Sequence, residues 1–258
     1  MMYIPTISPY AFKIGPIAVH WYGIFMAISI AIGGYYLYKE AMKLNYDEDF
    51  LLNLLMIVVI SGVIGARLMF VLANYPEWFI KNPIQVLKIY EGGLSWHGAV
   101  LGGFLAGLYY CRKKGVRINP LEDFAVLGLS IGNILVRIGN IFNQEVLGRP
   151  TEFAFGRWPA QLVGVAMGVI LLIRYFYIQK KHMPDGYQFW SFIFYYQLMR
   201  GLIEETVRDN PLIWPVYLNE KWGIGFFTLT QLVTPFILIL AYWMIRRVLN
   251  DPNKQFYN

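Results

Sequence analysis

A histidine, three arginines and a glutamate lie inside stretches of sequence that are otherwise apolar: Arg67, His97, Arg137, Arg200 and Glu204. A charged side chain at the centre of a membrane span costs at least about 2.5–3.5 kcal/mol, so each needs a reason to be there. Guanidinium forks match phosphate oxygens, and an imidazole takes up a proton near neutral pH. Arg200 and Glu204 are spaced i,i+4, which also suits a plain pair on one helix. Arg137 has no carboxylate one turn away on its helix, and Glu145 follows only past the helix end. An uncompensated guanidinium at headgroup level suits an anionic phosphate; snorkelling to the interface is the competing structural reading. Arg67 is open to two readings, a part in this group or a partner for Glu145 or Glu91. His97 follows Glu91-Gly92-Gly93-Leu94-Ser95-Trp96 and precedes Gly98. Those glycines allow close backbone approach, which favours a substrate-contacting or catalytic histidine over a packing one. His20 and His182 have no such company and read as interfacial. No metal site is expected, because there is no H-E-x-x-H and no Cys/His cluster.

The elements that position these residues follow from composition. Of 258 residues 57% are hydrophobic and 15% charged, against about 45–50% and about 25% in an average soluble domain. Eight Trp, 19 Tyr and 18 Phe suit interfacial aromatic belts. A disordered chain, a coiled coil and a disulfide scaffold are excluded, the last because Cys111 is single. The expected fold class is an all-α integral membrane protein, one domain over 1–258. Seven transmembrane helices are expected near 17–38, 51–74, 93–111, 120–141, 159–179, 186–205 and 224–245. The longest outer connections, 75–92 and 206–223, suit short re-entrant or interfacial pieces. Eleven Lys and Arg residues fall on one side of these spans, seven on the other and four within them. The positive-inside rule then puts the N-terminus outside and the C-terminus in the cytoplasm. The net charge of +6 is therefore a topology signal, and no nucleic-acid partner is expected. The first span lacks the basic start and cleavage site of a signal peptide. Spacings such as Gly98–Gly102, Gly128–Gly132 and Gly164–Gly168 read as close helix packing.

With this topology, Tyr22, Arg67, His97, Arg137, Asn140, Arg200 and Glu204 come from five spans yet share the outer-leaflet depth. Independent structural pairs have no reason to share one depth.

Three segments then carry a resemblance. Gly92-Gly93-Leu94-Ser95-Trp96-His97-Gly98 is similar to the G-G-x-S-x-H-G motif of bacterial prolipoprotein diacylglyceryl transferases. The stretch from Arg137 through Ile138-Gly139-Asn140, Glu145 and Gly148 to Arg149 resembles that family's R-I-G-N-F-x-N-x-E-x-x-G-R signature. Tyr196, Arg200 and Glu204 resemble its Y-x-x-x-R-x-x-x-E segment, and Trp21-Tyr22-Gly23 also matches. One stretch departs: where the family usually has H-P-x-Q-L-Y-E, this chain has Trp158-Pro159-Ala160-Gln161-Leu162-Val163-Gly164.

The resemblance implies a multi-pass enzyme of the bacterial inner membrane. It would move diacylglyceryl from phosphatidylglycerol to the lipobox cysteine of a preprolipoprotein, forming a thioether and releasing glycerol phosphate. It implies His97, Arg137 and Arg200 as catalytic residues. Tyr22, Arg67, Asn140, Glu145, Gly148, Gln161, Tyr196 and Glu204 would contact or orient substrate. Partners are then phosphatidylglycerol, the preprolipoprotein signal peptide and membrane lipids; no cofactor is implied and a monomer is expected. The alternative is a divergent relative that binds lipid or lipoprotein without transferring. A photoreceptor is excluded by the absence of lysine from 224–245, and a transporter would gather its polar groups near the midplane.

Overall fold

In lipid a backbone must satisfy its own hydrogen bonds, and a helix does so within one segment. A computed structural model gives the architecture and describes residues 8–15, 17–73, 76–89, 93–214, 218–252 and 255. The chain enters through a hairpin of β1 (Tyr10–Ile14) and β2 (Ile17–His20), then runs directly into α1 (Trp21–Lys43). There follow α2 (Glu48–Ala73), α3 (Pro76–Lys81) with a 3-10 turn at Pro83–Leu87, α4 (Trp96–Lys114), α5 (Asn119–Phe142) and α6 (Ala160–Gln179). Helix α7 (Tyr187–Met199) widens into a π turn at Arg200–Glu204 and closes with α8 (Glu205–Val207). A small ribbon, β3 (Leu218–Asn219) and β4 (Ile224–Gly225), leads to α9 (Leu229–Asn250).

Among the described residues five helices are long and apolar enough to cross a membrane: Trp21–Lys43, Glu48–Leu72, Asn119–Phe142, Ala160–Gln179 and Leu229–Asn250. The protein is thus a mostly helical, multi-pass membrane protein. Helix α4 falls outside that set; it is diluted by glycines and ends in Arg112, Lys113 and Lys114. Helix α7 has only 13 residues before the π turn. Three expected spans start too early. Residues 17–20 are a strand, 93–95 precede α4 with Ser95 as its N-cap, and 224–225 are a strand before the Thr228 cap of α9. Apolar strand residues next to an apolar helix leave no hydropathy step to mark the boundary. The connection after α2 folds into short helices, as its Pro and Trp content suggests.

The chain forms two compact units, 38–121 and the remainder. In the larger, missing side chains set the helix spacing. A Cβ on Gly128 of α5 would stand 2.7 Å from the Gly33 Cα of α1, and one on Gly139 would stand 3.0 Å from the Tyr22 Cα. Trp21 and Phe25 pack on Phe142 beside that contact. Asn133 Nδ2 donates to the Gly164 carbonyl at 2.9 Å, joining α5 to α6. Buried Asp123 of α5 accepts from the Gly186 and Phe189 amides at 2.7 Å each, capping α7. In the smaller unit, a Cβ on Gly98 of α4 would lie 2.2 Å from the Gly65 carbonyl oxygen of α2. Lipid offers helices no hydrophobic drive to associate, so such close approach supplies the packing.

Gly128→Val should therefore cost about 1–3 kcal/mol by overpacking. The expected result is a clear fall in the thermal unfolding midpoint in detergent. Gly23→Ala, where a Cβ meets nothing within 4 Å, should leave the midpoint unchanged; equal effects would remove the assignment of the helix spacing to Gly33 and Gly128.

Candidate active site

The larger unit brings arginines from two helices onto one carboxylate. Arg137 lies near the end of α5, and Arg200 and Glu204 bound the π turn after α7. Arg137 Nη2 and Arg200 Nη1 each stand 2.6 Å from the same atom, Glu204 Oε1. Glu204 is fully buried and both arginines nearly so. Arg137 is therefore not the uncompensated cation expected from its own helix; its carboxylate comes from another helix. Its Nε nevertheless has no hydrogen-bond partner among the described residues.

A second carboxylate, Glu205, escaped the sequence reading. Its Oε1 stands 2.7 Å from Arg200 Nη2 and 3.8 Å from Arg208 Nη1. These three guanidiniums face two carboxylates, leaving one net positive charge. Burial, followed by the charges of Arg200 and Arg137, lowers Arg208 to about 10. Arg149, also lowered by burial, donates to the Asn210 carbonyl at 2.7 Å, and Arg157 pairs with Asp209.

The other residues expected in the larger unit, and one that was not, lie along α1, the α5–α6 segment and α7. Gly164 lies under the Arg137 side chain: a Cβ there would stand 2.5 Å from Nε and 2.7 Å from Cδ. Its spacing to Gly168 fits helix packing equally well, and it stands at the last position of the departing stretch. Gln161, three residues earlier, donates to the Glu145 carbonyl at 2.8 Å, and the Glu145 amide donates to the Asn140 carbonyl at 3.0 Å. Asn140 is buried and Glu145 is exposed. Tyr22, on α1, lies against Gly139 of α5. Gly148 admits the Trp158 backbone, since a Cβ would stand 2.0 Å from the Trp158 carbonyl oxygen, and it pairs across to Arg208. Tyr196 stacks on Phe192, one turn before Arg200.

The smaller unit carries the other two expected residues. Arg67 donates to the carbonyls of Gln85, Val86 and Gly93 at 2.5–3.0 Å. Neither reading made for it from sequence foresaw this use as a loop brace; Glu91 lies outside the described residues. Gly93 has φ +74° and no room for a Cβ beside Phe70 and Arg67. His97 is the second residue of α4, directly after the turn that Arg67 holds. Its side chain lies outside the described residues, as do Glu91 and Gly92 of its motif. Among the described residues no three His, Cys, Asp or Glu side chains gather as a metal would require.

The sequence model of the family described as prolipoprotein diacylglyceryl transferase matches residues 9–247. Relatives named phosphatidylglycerol–prolipoprotein diacylglyceryl transferase include one from Thermoanaerobacter sp. (strain X514), 97% identical over the whole of both chains. One from Caldanaerobacter subterraneus subsp. tengcongensis is 85% identical, again over both full lengths. One from Thermus thermophilus is 34% identical over 92% of this chain and 96% of its own.

Gly164→Ala should push the Arg137 guanidinium off Glu204 Oε1. Affinity for an anionic phospholipid in nanodiscs should drop about fivefold or more, roughly 1 kcal/mol, with the fold intact by circular dichroism. Unchanged affinity would mean that Arg137 does not need this flat floor.

Proposed function

The chain belongs to the prolipoprotein diacylglyceryl transferase family, and on that premise we propose that it transfers diacylglyceryl from phosphatidylglycerol to a lipobox cysteine. Acting as one transferase domain, it spans the bacterial inner membrane seven times with its N-terminus outside, and works at the outer leaflet as a monomer. The observation that carries this reading is the sharing of Glu204 Oε1 by Arg137 and Arg200 at 2.6 Å each. Two guanidiniums are thereby fixed in one buried place with a net positive charge between them and Arg208.

The chemistry follows from that charge. Phosphatidylglycerol presents a phosphodiester monoanion, which neutralises the cluster when its oxygens meet the arginine donors. The cysteine sulfur attacks the glyceryl carbon bearing the phosphate. The carbon–oxygen bond breaks as the carbon–sulfur bond forms, and its electron pair leaves with glycerol phosphate. Charge grows on the departing phosphate, where preorganised guanidiniums stabilise the transition state more than the ground state. A thiol attacks as thiolate and its reference pKa is near 8.5, so a base must take its proton. His97 is assigned that role. Tyr22 and Asn140 orient headgroup oxygens, and Gln161 and Glu145 hold the loop beside them. Arg67 supports the turn that carries His97. The enzyme needs no nucleophile of its own, and Cys111 takes no part.

Gly164 bears on the alternative of a non-transferring relative. The glycine at the departing position gives Arg137 its floor, so the departure is compatible with a working cation pair.

The test is glycerol phosphate release from phosphatidylglycerol by purified protein, with a lipobox peptide and its Cys→Ala control. Release should require the thiol. Arg137→Ala should lower it at least about 100-fold, and His97→Gln about 100-fold. Thiol-dependent release at full rate from Arg137→Ala would remove the phosphate-binding role. No release from folded wild-type protein that still binds the lipid would favour the non-transferring relative.

A further inference from the structure

An α-helix places residues i+3 and i+4 over residue i, while i+5 points elsewhere. By that geometry Arg200 can meet Glu204 but not Glu205. The helix changes its winding at this point. From Arg200 to Glu204 it is a π turn, closed by the Glu205 amide donating to the Arg200 carbonyl, and such turns carry an i to i+5 hydrogen bond. The wider turn brings both glutamates to the guanidinium, one on each terminal nitrogen: Glu204 on Nη1 at 2.6 Å and Glu205 on Nη2 at 2.7 Å. Two adjacent, fully buried carboxylates are expensive to desolvate, and the widened turn is what lets both be paired.

The last helix holds the turn in this winding. Gln231 Nε2 donates to the Gly201 carbonyl at 3.0 Å, within the turn itself. Thr234 Oγ1 accepts from Gln197 Nε2 at 2.9 Å and sits where a Gly201 side chain would be, 2.6 Å from an added Cβ. Behind Glu205, its Oε2 accepts from Thr228 Oγ1 at 3.1 Å and Asn210 Nδ2 at 2.8 Å. Thr228, Gln231 and Thr234 follow one another at three-residue spacing along the start of α9.

We propose that Glu205 is a positioning residue for the reaction: held by Thr228 and Asn210 on a π turn braced by α9, it fixes the plane of the Arg200 guanidinium. Glu204 couples Arg200 to Arg137, while Glu205 prevents the fork from rotating about that single contact. The inference rests on Arg200 acting on the phosphate, as proposed above.

The experiment uses the full-length purified protein and the glycerol phosphate assay. Glu205→Gln keeps the size and an oxygen for Thr228 but removes the charge on Arg200. It should lower kcat about tenfold or more while KM for the peptide stays within about twofold, the signature of an interaction needed in the transition state. Glu205→Asp should recover part of kcat. A second readout is independent of turnover: guanidinium 15N resonances. Arg200 should show two distinct Nη signals in the wild type, which merge in Glu205→Gln as rotation about the Nε–Cζ bond is freed. If wild type gives no release but the Arg200 signals merge as expected, the transferase reading fails and the positioning stands. If Glu205→Gln keeps kcat within twofold, or Arg200 stays split, the proposal is overturned. Should Glu205→Gln not fold, Thr228→Val and Asn210→Leu release Glu205 from behind without touching Arg200. They must show the same kcat-selective loss, and a fall in stability alone from them also overturns the proposal.

Discussion

The structure of the larger unit turns on one carboxylate oxygen. Glu204 Oε1 lies 2.6 Å from guanidinium nitrogens of both Arg137 and Arg200, in a part of the chain where an unpaired charge would be costly. Two arginines brought this close repel each other, and the shared anion makes their approach tolerable. The arrangement is poor at adding stability, because buried ion pairs scarcely repay their desolvation. What it supplies is position: a pair of anion-seeking groups whose separation is set by a third, immobile one.

Gly164 removes the side chain that would collide with Arg137, and Gly139 lets Tyr22 of α1 lie against the same stretch of α5. Asp123 anchors the far end of α7 to α5 through two amide hydrogen bonds. Near its other end the helix widens, so that Glu205 and Arg208 join the cluster. The smaller unit shows the same economy on its own. Arg67 there serves three loop carbonyls, and the glycine before His97 takes a left-handed φ that a larger residue would strain to adopt.

Much of the fold was legible because its signals are local. The length of the apolar runs located the helices, although strands abutting α1 and α9 were absorbed into the expected spans. Part of the candidate site was legible for a related reason: charged residues are rare in apolar segments, so Arg137, Arg200 and Glu204 stood out at once. Their partners did not. Arg137 was read against its own helix, where no carboxylate lies one turn away, and its anion is 67 positions further on in the chain. Gly164 carried a small-residue spacing that packing explains equally well, and only the path of the Arg137 side chain separates the two uses.

Sequence alone therefore determined that this is a membrane protein of apolar helices, which residues within them are too costly to be incidental, and which family its motifs resemble. Composition, hydropathy and motif spacing are additive along the chain and need no third dimension. Tertiary structure decided which costly residues pay one another's desolvation, which glycine makes room for which side chain, and that Glu205 belongs with Arg200. Those facts depend on contacts between helices and on a local change of helical period at Arg200–Glu204. A reading at fixed α-helical spacing points Glu205 away from the residue it holds.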